Sequence, residues 1–299
     1  MVSRATSVAP VATGASCAGS AEPGRPGVLA LVVDVPAEVA EVAADALWSL
    51  GVLAVEEREG APGRTELWTS LGDERDEVLA AVSGFPVEWR VRFEEVDDAV
   101  VDTWREFATP IPIDDGLVVV PSWRSDDVAP DAIAVRIDPG AAFGMGDHPT
   151  TVLCLRTLRP ILATRTSPTV LDVGCGSGVL AVAAVRLGAA DALAIDISPA
   201  AAAVTTENAR RNGVEHAVHA STTPLAAVHG TYEVVLANIL APALVELAAD
   251  LRRVLAPNGV LVVSGILADR HDHVLAALAP LRVARTDVLD GWAAVTLTH

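Results

Sequence analysis

Val170-Leu171-Asp172-Val173-Gly174-Cys175-Gly176-Ser177-Gly178 is an apolar strand that runs into three alternating glycines. A helix is expected next, from Gly178 to Leu187. Glycines at such a corner allow a tight turn and let a ligand approach the backbone closely. Twenty residues past Gly176, at the end of the next expected strand (Ala192–Ile197), stands Asp196. A carboxylate there can accept hydrogen bonds from both hydroxyls of a ribose. A plainer reading makes it the helix-entry residue ahead of Ser198-Pro199. Together these features point to a nucleoside held by a strand–helix–strand unit.

The same alternation continues on both sides of this stretch. Strands are expected at Thr169–Val173, Ala192–Ile197, Tyr232–Ala237 and Val260–Ser264. Helices are expected at Gly178–Leu187, Pro199–Asn212, Pro242–Leu255 and Asp269–Leu278. Ser198 can cap the helix that Pro199 begins, and Gly213 follows its last turn. Val283–Leu289 and Trp292–Leu297 close the series as a hairpin. Repeated strand–helix units imply a parallel sheet covered on both faces, an α/β doubly wound fold.

The glycine spacing bears on which nucleoside is bound. Dinucleotide sites want Gly-x-Gly-x-x-Gly, so that a pyrophosphate meets the helix N-terminus. Here it is Gly-x-Gly-x-Gly, with Asp172 two residues before the first glycine. An acid there suits a cationic ligand better than a pyrophosphate. S-adenosylmethionine carries an ammonium and a sulfonium and no phosphate, so Asp172, Gly174, Gly176 and Asp196 are its candidate contacts.

Two further stretches stand out. Asp138-Pro139-Gly140-Ala141-Ala142-Phe143-Gly144-Met145-Gly146-Asp147-His148-Pro149-Thr150-Thr151 packs three glycines and two prolines into an ordered, bent loop. A helix then begins at Pro149. A connector seldom needs this much special backbone chemistry, so a cofactor-covering loop is expected. Ala237-Asn238-Ile239-Leu240 ends a strand, at the sheet edge where open α/β folds bind ligands. The Asn238 side-chain oxygen could orient an attacking amine, or Asn238 could simply cap the helix that follows.

Upstream, Leu29–Asp34, Val52–Arg58, Thr65–Leu71 and Val87–Phe93 read as strands, with helices at Pro36–Leu50 and Asp73–Ser83. That order is the ferredoxin-like pattern. It has no cluster of His, Cys or paired carboxylates, so it reads as a binding module. Glu94–Phe107 carries six acids against Arg105, with Val96, Val100, Trp104 and Phe107 at near-helical spacing. It is expected to be a helical linker. The division is therefore a disordered tail at 1–27, a ferredoxin-like domain at 28–93, a linker at 94–108 and a catalytic domain at 109–299. Leu117–Pro121 and Ala132–Ile137 are strand-like runs inside the last. The tail lacks the apolar run of a leader ending near Cys17.

Composition sets the outer limits. The 299 residues carry 39 acids against 21 bases, a net charge of -18, and an acidic surface repels phosphate. Direct nucleic-acid binding is not expected; a basic protein or a cationic small molecule is. All 21 bases are arginine, and glutamine is also absent. Three cysteines form no spaced framework, which fits a reduced, cytoplasmic protein. No window approaches the roughly 18 uninterrupted apolar residues of a membrane span.

Asp138–Thr151, Val170–Gly178, Ala194–Ser198, Asn208–Val214, Ala237–Leu240 and Ser264–Leu267 together resemble the PrmA family. These are the methyltransferases of the eleventh protein of the large ribosomal subunit. The likeness extends to the Trp104 linker and Pro121-Ser122-Trp123, and so covers roughly residues 28–299. The resemblance implies a substrate-binding ferredoxin-like domain, a helical linker and a class I methyltransferase domain. It implies S-adenosylmethionine contacts at Thr151, Gly174, Asp196 and Asn238. It also implies methylation of a terminal α-amine and lysine side chains on a basic ribosomal protein; a monomer is expected. Met145 and Asp147 stand where the family usually has Thr. Asp147 could attract a cationic amine or cap the following helix. His148 is read as structural, and no general base is assigned. A methyltransferase of another protein or a small molecule is the alternative, and a nicotinamide-dependent oxidoreductase a more distant one.

Overall fold

The computed structural model describes residues 28–49, 55–70, 82–96, 108–124, 128–139 and 146–299. The expected tail, most of the helix at 73–83, most of the linker including Trp104, and Met145 lie outside the described residues.

The amino-terminal part holds β1 (Val28–Pro36), α1 (Ala40–Ser49), β2 (Glu56–Glu59), β3 (Arg64–Ser70) and β4 (Arg90–Val96). All pairs are antiparallel, in the order β2-β3-β1-β4. This is the strand order of a ferredoxin-like sheet. Leu31, Val33 and Val35 alternate along β1 and bury against Ala40, Ala43 and Leu47 of α1. The opposite face is polar: the Arg58 guanidinium lies 4.0 Å over the Trp68 ring, whose Nε1 donates to Glu66 at 2.9 Å. Two expectations are corrected. Pro36 ends β1, and a single 3-10 turn (Ala37–Val39) precedes α1. β4 begins at Arg90 rather than Val87 and runs to Val96, three residues into the expected linker. The reason is pairing: Glu94 and Val96 stand opposite Ala30 and Val28.

A small sheet follows, β5 (Ile111–Asp114), β6 (Leu117–Pro121) and β7 (Ile133–Ile137), in that order. Then come α2 (Pro149–Ala163), β8 (Thr169–Val173), α3 (Val179–Arg186), β9 (Asp191–Ile195), α4 (Pro199–Arg211) and β10 (Val218–Ser221). The rest is β11 (Tyr232–Asn238), α5 (Ala241–Glu246), α6 (Ala248–Arg253), β12 (Leu255–Leu267), α7 (Asp272–Leu278), β13 (Arg282–Leu289) and β14 (Trp292–Thr298). The seven-stranded sheet has the order β10-β9-β8-β11-β12-β14-β13. Its first five strands are parallel; β14 runs antiparallel to both of its neighbours, β12 and β13.

Side-chain alternation accounts for the two covered faces. Val170, Val234, Leu236 and Val262 point to one core, with α2, α3 and the small sheet. Leu171, Val173, Val235, Ala237, Leu261 and Val263 point to the other, with α5, α6 and α7. Chain order reverses between β8 and β11, so a crevice opens at their carboxyl ends. The hairpin turn Asp290-Gly291 has φ of 49° and 81°, the two left-handed residues of a type I′ turn. Among the described residues, no helix is long and apolar enough to cross a membrane.

Candidate active site

Beyond β8 the chain turns through Gly174, Gly176 and Gly178, with φ of 73°, 53° and 77°. Side chains are strongly disfavoured in that region. The Gly174 and Cys175 N–H groups both donate to the Ile195 carbonyl, at 2.8 and 3.1 Å, tying the loop to the end of β9. Asp196 lies just past β9, not inside it as expected. Its Oδ2 accepts from Gly176 N–H and its Oδ1 from Ser198 N–H, both at 2.9 Å. One carboxylate thus joins the glycine loop to the start of α4. It remains half-buried, with lone pairs left on both oxygens.

Asp172 sits elsewhere than the expected cofactor contact. It is 1% exposed and lies beneath the loop. The N-cap of α3 is Gly178, which has no side chain to offer. Asp172 Oδ2 supplies that cap from β8, accepting from Ala181 N–H at 3.1 Å. Its Oδ1 is buried with no hydrogen-bond partner. Burial pushes its pKa up to about 7, against the Ala181 N–H and with the Asp196 charge. Cys154 on α2 and Cys175 in the loop are both buried free thiols.

The second wall is the start of α2. His148 is its N-cap, accepting from Thr150 N–H, with Pro149 in the first turn. Asp147 is therefore not the cap: it is exposed, and the cap is its neighbour. The His148 ring packs edge-on to Trp292 at 5.0 Å. Burial lowers the His148 pKa and Asp147 partly restores it, so the ring is a neutral acceptor at neutral pH. Thr151, 2% exposed, stands on the third residue of α2. Its Oγ1 accepts from Asn238 Nδ2 at 3.3 Å.

Asn238 ends β11, opposite Ser264 of β12. It is not the N-cap of α5; that position is Leu240, which makes no side-chain cap. A bulge interrupts β12 between Val263 and Ile266, where Ser264 Oγ donates to the Ala293 carbonyl at 2.8 Å. Within it Gly265 has φ of 83°, and a Cβ there would lie 2.8 Å from the Ile239 carbonyl carbon. A Cβ on Gly174 would run into Ile239 Cγ2. Two left-handed glycines therefore pinch Ile239 between the cofactor-type loop and the bulge.

Three contributors were not foreseen. Asn208 Nδ2 donates to the Asp138 and Ser177 carbonyls, each at 2.9 Å, and its Oδ1 accepts from Asp138 N–H. Asn212 does the same for Arg136, by N–H at 2.8 Å and carbonyl at 2.7 Å. These two asparagines, one on α4 and the other its C-cap a turn later, take the place of a strand beside β7. Asn208 thereby ties Asp138 to the glycine loop at Ser177. Thr205 donates to the Gly176 carbonyl at 3.1 Å from the same helix. The available signal was the pair of asparagines at i and i+4.

Gly174, Gly176, Asp196, Thr151 and Asn238 thus gather at one sheet edge, with Asp172 beneath them. The donor set suits a cationic nucleoside. The loops at 174–178, 196–198 and 238–240 carry no arginine, and the chain has no lysine to meet a pyrophosphate. An orphaned carboxylate oxygen lies under the loop, and a second carboxylate stands at the next strand end.

The chain matches the family described as Ribosomal protein L11 methyltransferase (PrmA) over residues 64–299. It is 37% identical over 292 residues to the ribosomal protein L11 methyltransferase of Cupriavidus necator, covering 87% of this chain and 94% of that protein. It is 41% identical over 238 residues to the one from Geobacter metallireducens, covering 76% and 78%. To the one from Pelobacter propionicus it is 48% identical over 183 residues, and this match spans 59% of the chain and 58% of that relative. The crystal structure of a ribosomal protein L11 methylase from Lactobacillus delbrueckii subsp. bulgaricus superposes with a TM-score of 0.59 at 34% identity. It covers 64% of this chain and all of that one. The chain belongs to the ribosomal protein L11 methyltransferase family.

Proposed function

We propose that the protein transfers methyl groups from S-adenosylmethionine to amines of ribosomal protein L11, the terminal α-amine and lysine side chains. The observation that carries this reading is the placement of Asn238, at the end of β11, beside the end of β8 where the glycine loop begins, at the switch point between the two strands. A nucleoside cofactor and an incoming amine would meet there. When bound, S-adenosylmethionine supplies a methyl group on a positively charged sulfur, which leaves as a neutral thioether. Asp196 would hold the ribose hydroxyls, and the Gly174 and Gly176 backbone the amino-acid end. Asp172 would brace the loop from below through the hydrogen bond that it accepts from Ala181 N–H.

The amine's lone pair forms the new N–C bond, so the amine must be neutral. Free lysine has a pKa of about 10.4. Desolvation in a closed crevice favours the neutral form. Asn238 Oδ1 would accept a hydrogen from the amine and aim its lone pair at the methyl carbon. Alignment of the reacting pair is the main contribution expected of the site.

The domain division belongs to this reading: a substrate-recognition domain over 28–93, whose last strand reaches Val96, a linker, and a catalytic domain over 109–299. The partner is a basic protein, complementary to the net charge of -18. The enzyme would work as a monomer in the cytoplasm, with no direct contact to nucleic acid.

The test is mass spectrometry of purified L11 after incubation with enzyme and cofactor. Mass gains in multiples of about 14 Da, one methylene per transfer, are expected. No gain on L11 refutes the substrate. Asn238→Ala should cut turnover by about a hundredfold while calorimetric affinity for S-adenosylmethionine falls less than about threefold. Equal losses of both would make Asn238 a cofactor residue only.

A further inference from the structure

Gly176 is gripped at both of its backbone polar groups. Its N–H donates to Asp196 Oδ2 at 2.9 Å, and its carbonyl accepts from Thr205 Oγ1 at 3.1 Å. A carbonyl can only accept, so the direction of the second bond is fixed: the hydroxyl donates. Burial raises the Cys175 pKa, so that thiol keeps its proton and can donate to Thr205 Oγ1, 3.4 Å away. Thr205 is 0% exposed. Its methyl occupies the space beside Gly178, where a Cβ would fall 2.6 Å from Thr205 Cγ2. Thr205 also belongs to the helix that frames Asp196. Ser198 caps α4, and its N–H binds Asp196 Oδ1 at 2.9 Å. Thr205 stands about two turns further along the same helix.

The Asp196 carboxylate thus takes its bearing from two N–H groups, of Ser198 and of Gly176. Helix α4 fixes the first directly. The second depends on the φ and ψ of a glycine, the most permissive of residues. Only a grip on both sides of Gly176 holds that backbone in one conformation, and Thr205 supplies the side that Asp196 does not. We propose that Thr205 is a positioning residue for cofactor binding: its hydroxyl locks the Gly176 backbone, so that Gly176 N–H keeps Asp196 turned to the ribose. This rests on the reading of Asp196 as the ribose-binding carboxylate. At 0% exposure Thr205 does not meet the cofactor itself.

Calorimetric titration with S-adenosylmethionine and steady-state methylation of L11, both on the full chain, test this. Thr205→Val removes the donor with little change of shape; Thr205→Ser keeps it. Thr205→Val should weaken S-adenosylmethionine binding by about tenfold, since the Gly176 carbonyl loses its hydrogen bond. S-adenosylhomocysteine, which keeps the ribose and lacks the methyl, should weaken by the same factor. At saturating cofactor kcat should stay within about twofold of wild type. Thr205→Ser should regain most of the affinity. Thr206→Val removes a hydroxyl that donates to the Ala202 carbonyl within the helix, and should leave affinity unchanged. If urea denaturation shows that the valine variant folds poorly, Thr205→Ala is read in the same way.

The proposal is overturned if Thr205→Val binds cofactor as tightly as wild type, whatever its urea midpoint, because the bond then serves stability alone. It is equally overturned if Thr205→Ser fails to restore affinity, if Thr206→Val weakens binding as much, or if kcat falls as far as affinity does. Asp196→Ala tests the reading beneath it. Full affinity in that variant overturns Asp196 as the ribose residue and this proposal with it. Weakened or lost binding in Asp196→Ala, together with any of the earlier adverse results, overturns this proposal alone.

Discussion

Asp172 illustrates how much one carboxylate can weigh when water cannot reach it. Its pKa stands at about 7, against an ordinary value of 3.8, with burial as the main cause. A carboxyl whose pKa is higher folded than unfolded binds more protons in the folded state. Its contribution to stability is therefore full below pH 3.8 and is lost as pH rises through 7. The span corresponds to about 4 kcal/mol. Asn in its place mimics the protonated form and can still accept from Ala181 N–H. In urea denaturation, Asp172→Asn should gain on the wild type as pH rises from 4 to 7, by up to about 4 kcal/mol, and then level off. A stability difference that stays flat over that range would mean that Asp172 is ionised throughout. Thr151, Asn238 and Asp196 show the complementary economy of the site, each side chain joining two elements by one or two hydrogen bonds.

At the scale of elements, the bulge in β12 controls the chain that follows β11. Gly265→Ala would force a side chain into a left-handed backbone, costing about 1–2 kcal/mol. It would also press on the Ile239 backbone. Gly213 has φ of 69° but open space around a Cβ, so Gly213→Ala bears only the conformational cost. Both should lose similar stability from strain, but Gly265→Ala alone should lower kcat/KM for methylation, by more than about tenfold. Equal activity of the two variants would mean that the pinch on Ile239 is irrelevant to turnover. Much of this level was legible in the sequence. Val170–Gly178, the strand that leads to Asp196, the strand that ends at Asn238, and the Asp290-Gly291 turn follow from local patterns that pair with nearby residues. What escaped depends on distant partners. β5 and β10 are four residues each, too short for periodicity to register. Leu255 was read as the end of a helix, but β12 begins there because Tyr232 pairs with it. Asn208 and Asn212 look like indifferent helix residues until β7, more than 70 residues upstream, is laid beside them.

At the scale of the molecule, the seven-stranded sheet divides two cores, and the gathered residues lie where its winding reverses. The buried thiols on that ground have a practical consequence. Only a thiolate reacts with electrophilic labels. Burial pushes the Cys154 thiol up to about 12 and raises Cys175 as well, so at neutral pH the reactive fraction of Cys154 is on the order of one in 100,000. Unfolded, both return to about 8.5 and react readily. Alkylation of the native enzyme should therefore report opening events alone. Peptide mass spectrometry distinguishes these two positions from Cys17. Labelling at Cys154 and Cys175 should be slow, and saturating S-adenosylmethionine should slow both in parallel, since a ligand of the folded state suppresses opening. Rapid alkylation of either under native conditions would place that thiol within reach of solvent. The two cysteines thus make the enzyme its own gauge of how often the ground beneath its glycine loop comes apart.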